Sequence, residues 1–506
     1  MILNIKTMIP WGIEWRLISI EIDSNRSLPW IDIIGLPDSA VKESRERLRS
    51  TFRSCNIEIP PHRYIINLSP SDIKKSGAAF DVPIGVWILT HILWDDVKNK
   101  DVLMNAIFLW ELGLDWSIKG VKGVLSVAIS AKKEWYTHFF IPDENKYEIE
   151  CISGIMIYPL SHFNDVVGVL WGGINIWYKS SWNIEYDNLK EEKYVDFTDI
   201  QWHNLIKRAI AIWAVWLHNI LMIGPPGTWK SMIAKAIAWI LPPMWYDEII
   251  EVSQIYSLSW NSSSPLVTQR PFRSIHHTAS KISLIGWWQK MSPGEISHAH
   301  NGVLFLDELP EFPRDVLDVL RQPIEDKCVT ISRAQWSITY PADCMVVGAM
   351  NPCICWYYKD TEKICTCSLQ SVKKYQSKIS GPLLDRFDII IDIKRQEIWS
   401  IKNNETTSSK EIKEKVIKAW QIQKQRYKGS FIRSNTQLSV KDIKKYIILD
   451  DDCENILLVA QKRLSLSHRW IHRVLKVSRT IADYEWSVDI KKEHLLEALQ
   501  YRSKEI

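Results

Sequence analysis

The run GPPGTWKS, residues 224–231, places a lysine and a hydroxyl behind closely spaced glycines, an arrangement suited to holding phosphates. In the pattern G-x-x-x-x-G-K-[ST], backbone N–H groups wrap the phosphate oxygens, the lysine meets the β/γ oxygens and the hydroxyl holds Mg²⁺. Gly224, Pro225, Pro226, Gly227, Thr228, Lys230 and Ser231 fit that loop, and Trp229 stands where glycine is required. Further on, NGVLFLDELPEF ends an apolar run at Asp307 and Glu308. There the Asp would hold Mg²⁺ through water and the Glu would polarise an attacking water, because phosphoryl transfer needs positioning and charge neutralisation. Taken alone, the same pair also fits an exposed acidic strand end; its place after a phosphate loop favours the catalytic reading. Asn351, closing the apolar run CMVVGAMN, could orient water near the γ-phosphate, the sensor 1 position. Arg386 in GPLLDRFDI follows a helix end, where in a ring of subunits its guanidinium could reach a neighbour's nucleotide as an arginine finger; a lone arginine there also fits a surface ion pair.

The tryptophan at 229 belongs to a wider imbalance. The chain has 26 Trp and only 19 Gly, glycine being about 4% of the residues against an average near 7%. Trp also occupies sites that read as turns, as in LIGWWQKMSPGE and LPWIDIIGLPD. Either the loop is dead, or many of these tryptophans stand where the organism places glycine. The second holds if UGA, read here as tryptophan, is a glycine codon in the source; the natural loop would then be GPPGTGKS.

These residues need a scaffold. The run NILMI before the loop reads as a buried parallel strand and KSMIAKAIAWIL after it as a helix. Residues 1–170 alternate short β-rich runs (RLISIEI, IDIIGL, YIINLS) with helical ones (DSAVKESRERLRSTFRSC), a compact α/β or α+β unit. Residues 171–194 read as a linker, 195–395 as an α/β nucleotide-binding domain, 396–412 as a second polar break and 413–506 as a helical tail. A chain of 506 residues that is 46% hydrophobic supports several cores, and a formal charge of +4 does not announce a nucleic-acid partner. No apolar run reaches the roughly 18 residues of a membrane span, and no charged n-region followed by an apolar h-region opens the chain, so a cytoplasmic location without membrane contact is expected.

Nine cysteines without a secretory signal argue against a disulfide framework. Four of them, Cys353, Cys355, Cys365 and Cys367, form two C-x-C pairs in NPCICWYYKDTEKICTC. Four thiolates so spaced could close a tetrahedral structural Zn²⁺ site; reduced, unliganded thiols are the alternative.

With these strings the chain resembles the magnesium-chelatase-like AAA+ family of bacterial ComM (YifB) proteins. The carriers are GLPDSAVKESRERLRS and FDVPIGV in the first domain, GPPGTWKS, RPFRSIHHTAS, PGEISHAHNGVLFLDELPEF, LRQPIEDKCVTISRA, AMNPCIC and GPLLDRFD in the second, and RVLKVSRTIAD in the third. The match improves with glycine at Trp229, Trp110, Trp116, Trp287 and Trp288. The resemblance implies an N-terminal domain similar to the Lon protease fold, an AAA+ core with a helix-2 insert and a pre-sensor-1 hairpin, and a helical C-terminal lid. It implies an ATP- and Mg²⁺-dependent homo-hexameric ring that moves on DNA, a helicase promoting branch migration during recombination or natural transformation. Lys230 and Ser231 would be its Walker A contacts, Asp307 and Glu308 its Walker B pair, Asn351 sensor 1 and Arg386 the finger. Arg469 is expected as sensor 2, with Arg473 the alternative.

A ring of this kind needs elements that grip phosphates. Candidates are Arg270, Arg273 and Lys281, with His276 and His277, in RPFRSIHHTASK, and Arg333 at the hairpin tip SRAQ. Both segments could instead only pack subunits together. Proteolysis is not expected, because a Ser-Lys dyad would need a serine where Ala79 aligns, and Ser76 is misplaced. A chelatase motor subunit and a protein-remodelling ring are the competing functions, since fold does not fix substrate.

Overall fold

The computed structural model describes residues 5–28, 30–54, 60–71, 80–113, 115–180, 196–198, 204–215, 218–259, 266–287, 292–333, 336–360, 362–393, 408–430, 432, 434–464 and 468–501. The chain divides into two compact units. The first comprises residues 1–189, 250–267 and 288–292, and the second 190–249, 268–287 and 293–506.

In the first unit the hairpin Ile5–Trp11/Glu14–Arg26 forms because apolar residues alternate along it, turning Ile18 and Ile20 fully inward. It turns through Gly12, whose φ of 72° suits glycine. The hairpin joins a mixed eight-stranded sheet in the order Tyr178–Lys179, Met156–Leu160, His138–Pro142, Ala106–Phe108, Ile5–Trp11, Glu14–Arg26, His62–Ser69, Trp30–Ile34. Within the span read as a linker, Tyr178 pairs with Ile157 and Lys179 with Met156. Helix Asp81–Ile92 is apolar on all sides, and its residues 81–90 are buried. Asp81 itself is fully buried and accepts from Arg47 at 2.6 and 3.0 Å and from the Ser44 hydroxyl. Burial raises its pKa against the opposing pull of Arg47 and Ser44. Asp81→Ala is expected to destabilise this unit by about 2–4 kcal/mol, somewhat less than for a fully buried pair because Arg47 can still reach water. Hydrogen exchange of helix Asp81–Ile92 in the full chain measures this; unchanged protection would mean the pair contributes nothing. Ser76 and Ala79, on which the protease question turns, lie outside the described residues.

The second unit is built on a five-stranded parallel sheet in the order Phe272–Ile275, Val303–Leu306, Met345–Met350, Ile220–Ile223, Ile389–Asp392. The strands Val303–Leu306, Met345–Met350 and Ile220–Ile223 are buried throughout. Such continuous apolar runs mark a parallel sheet covered on both faces. An antiparallel hairpin, Cys328–Arg333/Trp336–Pro341, separates helix Arg314–Asp326 from strand Met345–Met350. Helix Ser409–Arg426 puts Ile412, Val416 and Ala419 into the same core as Ile233, Ala234 and Ile237 of helix Lys230–Ile240. The helical tail therefore belongs to one body with the sheet. Within the tail, Asp483 is fully buried and accepts from Arg426 at 2.9 Å, Arg479 at 2.8 and 3.0 Å and Asn435 at 3.2 Å. The molecule is thus a mixed α/β protein whose second unit carries a five-stranded parallel sheet. Among the described residues no helix is long and apolar enough to cross a membrane.

Candidate nucleotide-binding site

The phosphate loop leaves the carboxyl end of strand Ile220–Ile223, which has a neighbour on each side. That is the edge where open parallel sheets bind ligands. Gly224 donates its N–H to Met350 O at 3.1 Å, and a Cβ there would lie 2.6 Å from Ile393 O, so the turn admits only glycine. Gly227 has a φ of 80°. The Thr228 hydroxyl donates to Pro225 O at 2.8 Å and closes the loop. Helix Lys230–Ile240 then begins, directing its free N–H groups and positive dipole end at the loop.

Lys230 and Ser231 at the helix start meet Asp307, Glu308 and Asn351, which follow two strand ends. Lys230 Nζ donates to Gly224 O at 2.7 Å, Pro225 O at 2.9 Å and Asn351 Oδ1 at 3.3 Å. The Ser231 hydroxyl donates to Asp307 Oδ2 at 3.0 Å. Glu308, next to Asp307, has a φ of 52°, and its Oε2 lies 3.0 Å from His277 Nδ1. Burial lowers the Lys230 pKa to about 8, against the opposing pull of Asp307 and Glu308. Only the charged ammonium grips phosphate well, so nucleotide binding should draw a proton onto Lys230. With glycine at 229, ATP affinity is expected to hold from pH 7 to 8 and to weaken by up to about tenfold per pH unit above that. Calorimetric titration in buffers of different ionisation enthalpy detects the proton uptake; a flat profile to pH 9.5 would mean the lysine stays charged.

Trp229 adopts φ 60°, in the left-handed region, and is 45% exposed. Ten non-glycine residues have positive φ among the described residues, and five are tryptophan: Trp116, Trp135, Trp229, Trp356 and Trp486. Tryptophan lacks the short polar side chain that lets Asn or Asp tolerate this conformation. Trp135 and Trp486 each follow a helix end closed by a backward hydrogen bond, Tyr136 N–H to Ala131 O at 3.0 Å and Ser487 N–H to Ala482 O at 2.8 Å. Those are the positions that glycine takes in helix termini. The Trp110 indole is fully buried, and its N–H has no hydrogen-bond partner among the described residues. Trp287 is exposed, and Trp288 lies outside the described residues.

Arg386 and Arg469 do not join this cluster. They converge instead on Glu325 of helix Arg314–Asp326, Arg469 at 2.9 Å and Arg386 in direct contact. Arg386 also donates to Arg321 O at 3.1 Å and Pro382 O at 2.6 Å. Arg473 lies 3.6 Å from Asp388.

The phosphate-gripping candidates divide. Arg270 must be corrected: it is 8% exposed and donates to Pro242 O at 2.6 Å, Asn301 O at 2.7 Å and Glu248 at 2.9 Å. Its donors brace the interior of the unit and cannot reach a phosphate backbone. Arg273 forms a two-point pair with Glu295 at 2.7 and 3.1 Å. Lys281 is exposed at the start of helix Lys281–Ile285. Arg333 ends its hairpin strand, and tip residues 334–335 lie outside the described residues. The His276 and His277 rings stack at 4.0 Å, with His277 turned to Glu308. Cys353, Cys355, Cys365 and Cys367 come together, their sulfurs all within 4.8 Å of one another. Sequence reasoning did not find the contact of His277 with Glu308 or the role of Glu325. Neither has a spacing signature, because each depends on elements brought together by the sheet.

A family model described as magnesium chelatase, subunit ChlI, matches residues 196–401. Models of subunit ChlI of Mg-chelatase and of the ChlI C-terminal region match residues 20–145 and 406–502. The chain is similar to competence protein ComM of Haemophilus influenzae, with 38% identity over 501 residues covering 97% of this chain and 96% of that protein. It is also similar to the uncharacterized protein YifB of Salmonella typhimurium, with 36% identity covering 99% and 96%. Similarity to the magnesium-chelatase 67 kDa subunit of Chlorobaculum parvum is 29% over 160 residues, covering 31% of this chain and 23% of that protein.

Proposed function

Since the chain belongs to the ComM/YifB family of magnesium-chelatase-like AAA+ ATPases, we propose that it is an ATP-driven DNA motor that promotes branch migration during recombination or natural transformation. The observation that carries this reading is the extent of the likeness. It runs through 97% of the chain for a competence protein but through 31% for a chelatase subunit.

In this reading the loop amides and Lys230 bind the ATP phosphates, and Asn351, already 3.3 Å from the Lys230 ammonium, orients the attacking water. Glu308 accepts that water's proton. The hydroxyl of Ser231 and the carboxylate of Asp307, 3.0 Å apart, are a donor set suited to Mg²⁺, which would neutralise phosphate charge. Arg386 and Arg469 share one carboxylate and make no hydrogen bond or ion pair with Lys230, Ser231, Asp307 or Asn351 among the described residues. In the homo-hexameric, cytoplasmic ring that this reading proposes, both would have to leave Glu325 to reach a neighbouring subunit's nucleotide. Lys281 and Arg333 are the basic residues that would meet DNA phosphates.

The test uses the full chain with glycine at 229. Single-stranded or branched DNA should stimulate ATP hydrolysis several-fold, and a mobile three-strand junction should be resolved only with hydrolysable ATP. ATP hydrolysis indifferent to every DNA structure would direct the reading to a protein-remodelling ring instead.

A further inference from the structure

We infer that Cys353, Cys355, Cys365 and Cys367 form a tetrathiolate structural zinc site that fixes the loop behind Asn351, independently of what the motor acts on. The sulfurs of Cys353 and Cys355 lie 3.3 Å apart, those of Cys355 and Cys365 3.4 Å, and those of Cys353 and Cys365 3.8 Å, with Cys367 inside the same 4.8 Å envelope. A tetrahedral zinc with Zn–S bonds of about 2.3 Å sets its sulfurs about 3.8 Å apart, so Cys353 and Cys365 already stand at that separation and the two pairs through Cys355 need open by only about 0.5 Å. The separations are too long for disulfides, whose sulfurs approach to about 2.05 Å. An iron–sulfur cubane would hold its thiolates outside a four-iron core and so farther apart than this envelope.

The first C-x-C pair turns back through Trp356, whose N–H reaches Cys353 O at 3.1 Å with a φ of 75°, another site suited to glycine. Cys353 is fully buried while the other three are half-buried, so the ligands are held but a metal can enter.

The loop needs such a fastening. Among the described residues no helix or strand lies between Asn351 and Ser368, so no ladder of backbone hydrogen bonds holds this stretch. One end is Asn351 at Lys230, and the adjoining Pro352 O accepts from Gln376 at 3.1 Å. A metal cross-link closing the loop immediately beyond would keep the asparagine in place between nucleotide states.

The experiment measures metal in the full chain purified anaerobically without chelator. About one zinc per chain is expected, released in step with four thiols during titration with an organomercurial. The double variant Cys365→Ser/Cys367→Ser should retain less than about a tenth of that zinc. Co²⁺ substituted for zinc should give the intense visible bands of a tetrahedral tetrathiolate. The titration and the Co²⁺ spectrum use the unaltered chain, so they decide the matter even if the variant fails to fold. A metal-free chain with four freely reactive thiols that takes up neither Zn²⁺ nor Co²⁺ would overturn the inference, and so would iron in place of zinc.

Discussion

Trp229→Gly is expected to tighten ATP binding by at least about 30-fold, or roughly 2 kcal/mol. Two contributions add. A non-glycine residue in the left-handed region costs about 1–2 kcal/mol, and residue 229 has a φ of 60° in the loop geometry that receives phosphate. Without ligand the tryptophan-bearing loop can relax out of that conformation, so only a fraction of molecules is competent and the apparent affinity falls by that fraction. The residue also belongs to the loop whose N–H groups must approach phosphate with no Cβ in the way. The fold should survive in both forms, since Trp229 is 45% exposed and packs in none of the buried clusters. Equilibrium nucleotide titration of the two proteins decides it, and equal dissociation constants would show that the loop tolerates the indole. Peptide mass spectrometry of the chain from its own organism should find glycine at 229 and at 135, 356 and 486, where the backbone makes the same demand.

With glycine at 229, Glu308→Gln should leave ATP affinity within about twofold and slow hydrolysis by roughly 10²–10⁴-fold, the usual contribution of a positioned general base. Charge and reach both point to this residue. Asp307 is engaged by the Ser231 hydroxyl at 3.0 Å, whereas the Glu308 carboxylate is half exposed, so a water can reach it. Its backbone is held at a φ of 52°, and its N–H is fixed by Asp307 Oδ1 at 3.0 Å, so the side chain leaves the strand end in a set direction. The contact with His277 at 3.0 Å gives the carboxylate a resting partner on the segment that also carries Lys281. The isosteric amide keeps the shape and loses only the proton acceptor. Single-turnover hydrolysis and nucleotide binding measured on the same samples separate the two effects. Hydrolysis at the unaltered rate would place the base elsewhere, and equal losses in binding and rate would make Glu308 a binding residue.

Much of the site could be read along the chain because its parts lie at element ends with fixed local chemistry. The lysine and serine open a helix, the Asp-Glu pair ends an apolar strand, and Asn351 ends another. Each position is announced by the change from a buried run to a polar residue. Parallel-sheet topology then carries such strand ends to one edge, which is why residues as distant as Lys230 and Asn351 meet. Local pattern also exposed the tryptophan excess, and backbone geometry added Trp135, Trp356 and Trp486, where the surrounding residues gave no comparable motif.

What the sequence could not decide was which arginine faces a ligand and which one holds the interior. Arg270 reads as part of a basic cluster, yet burial beside Glu248 and two prolyl carbonyls turns it into a brace. Arg386 and Arg469 lie far apart in the chain, yet meet on Glu325, near the end of helix Arg314–Asp326. A guanidinium is equally suited to phosphate, carboxylate and backbone carbonyl, so its type carries no address. Glycine at a left-handed position, by contrast, is demanded by the local backbone, as at residue 229 with its φ of 60°. The chemistry tied to local conformation was therefore determined by the sequence, while the assignment of long charged side chains waited for the tertiary structure, since only packing sets which partner lies within their reach.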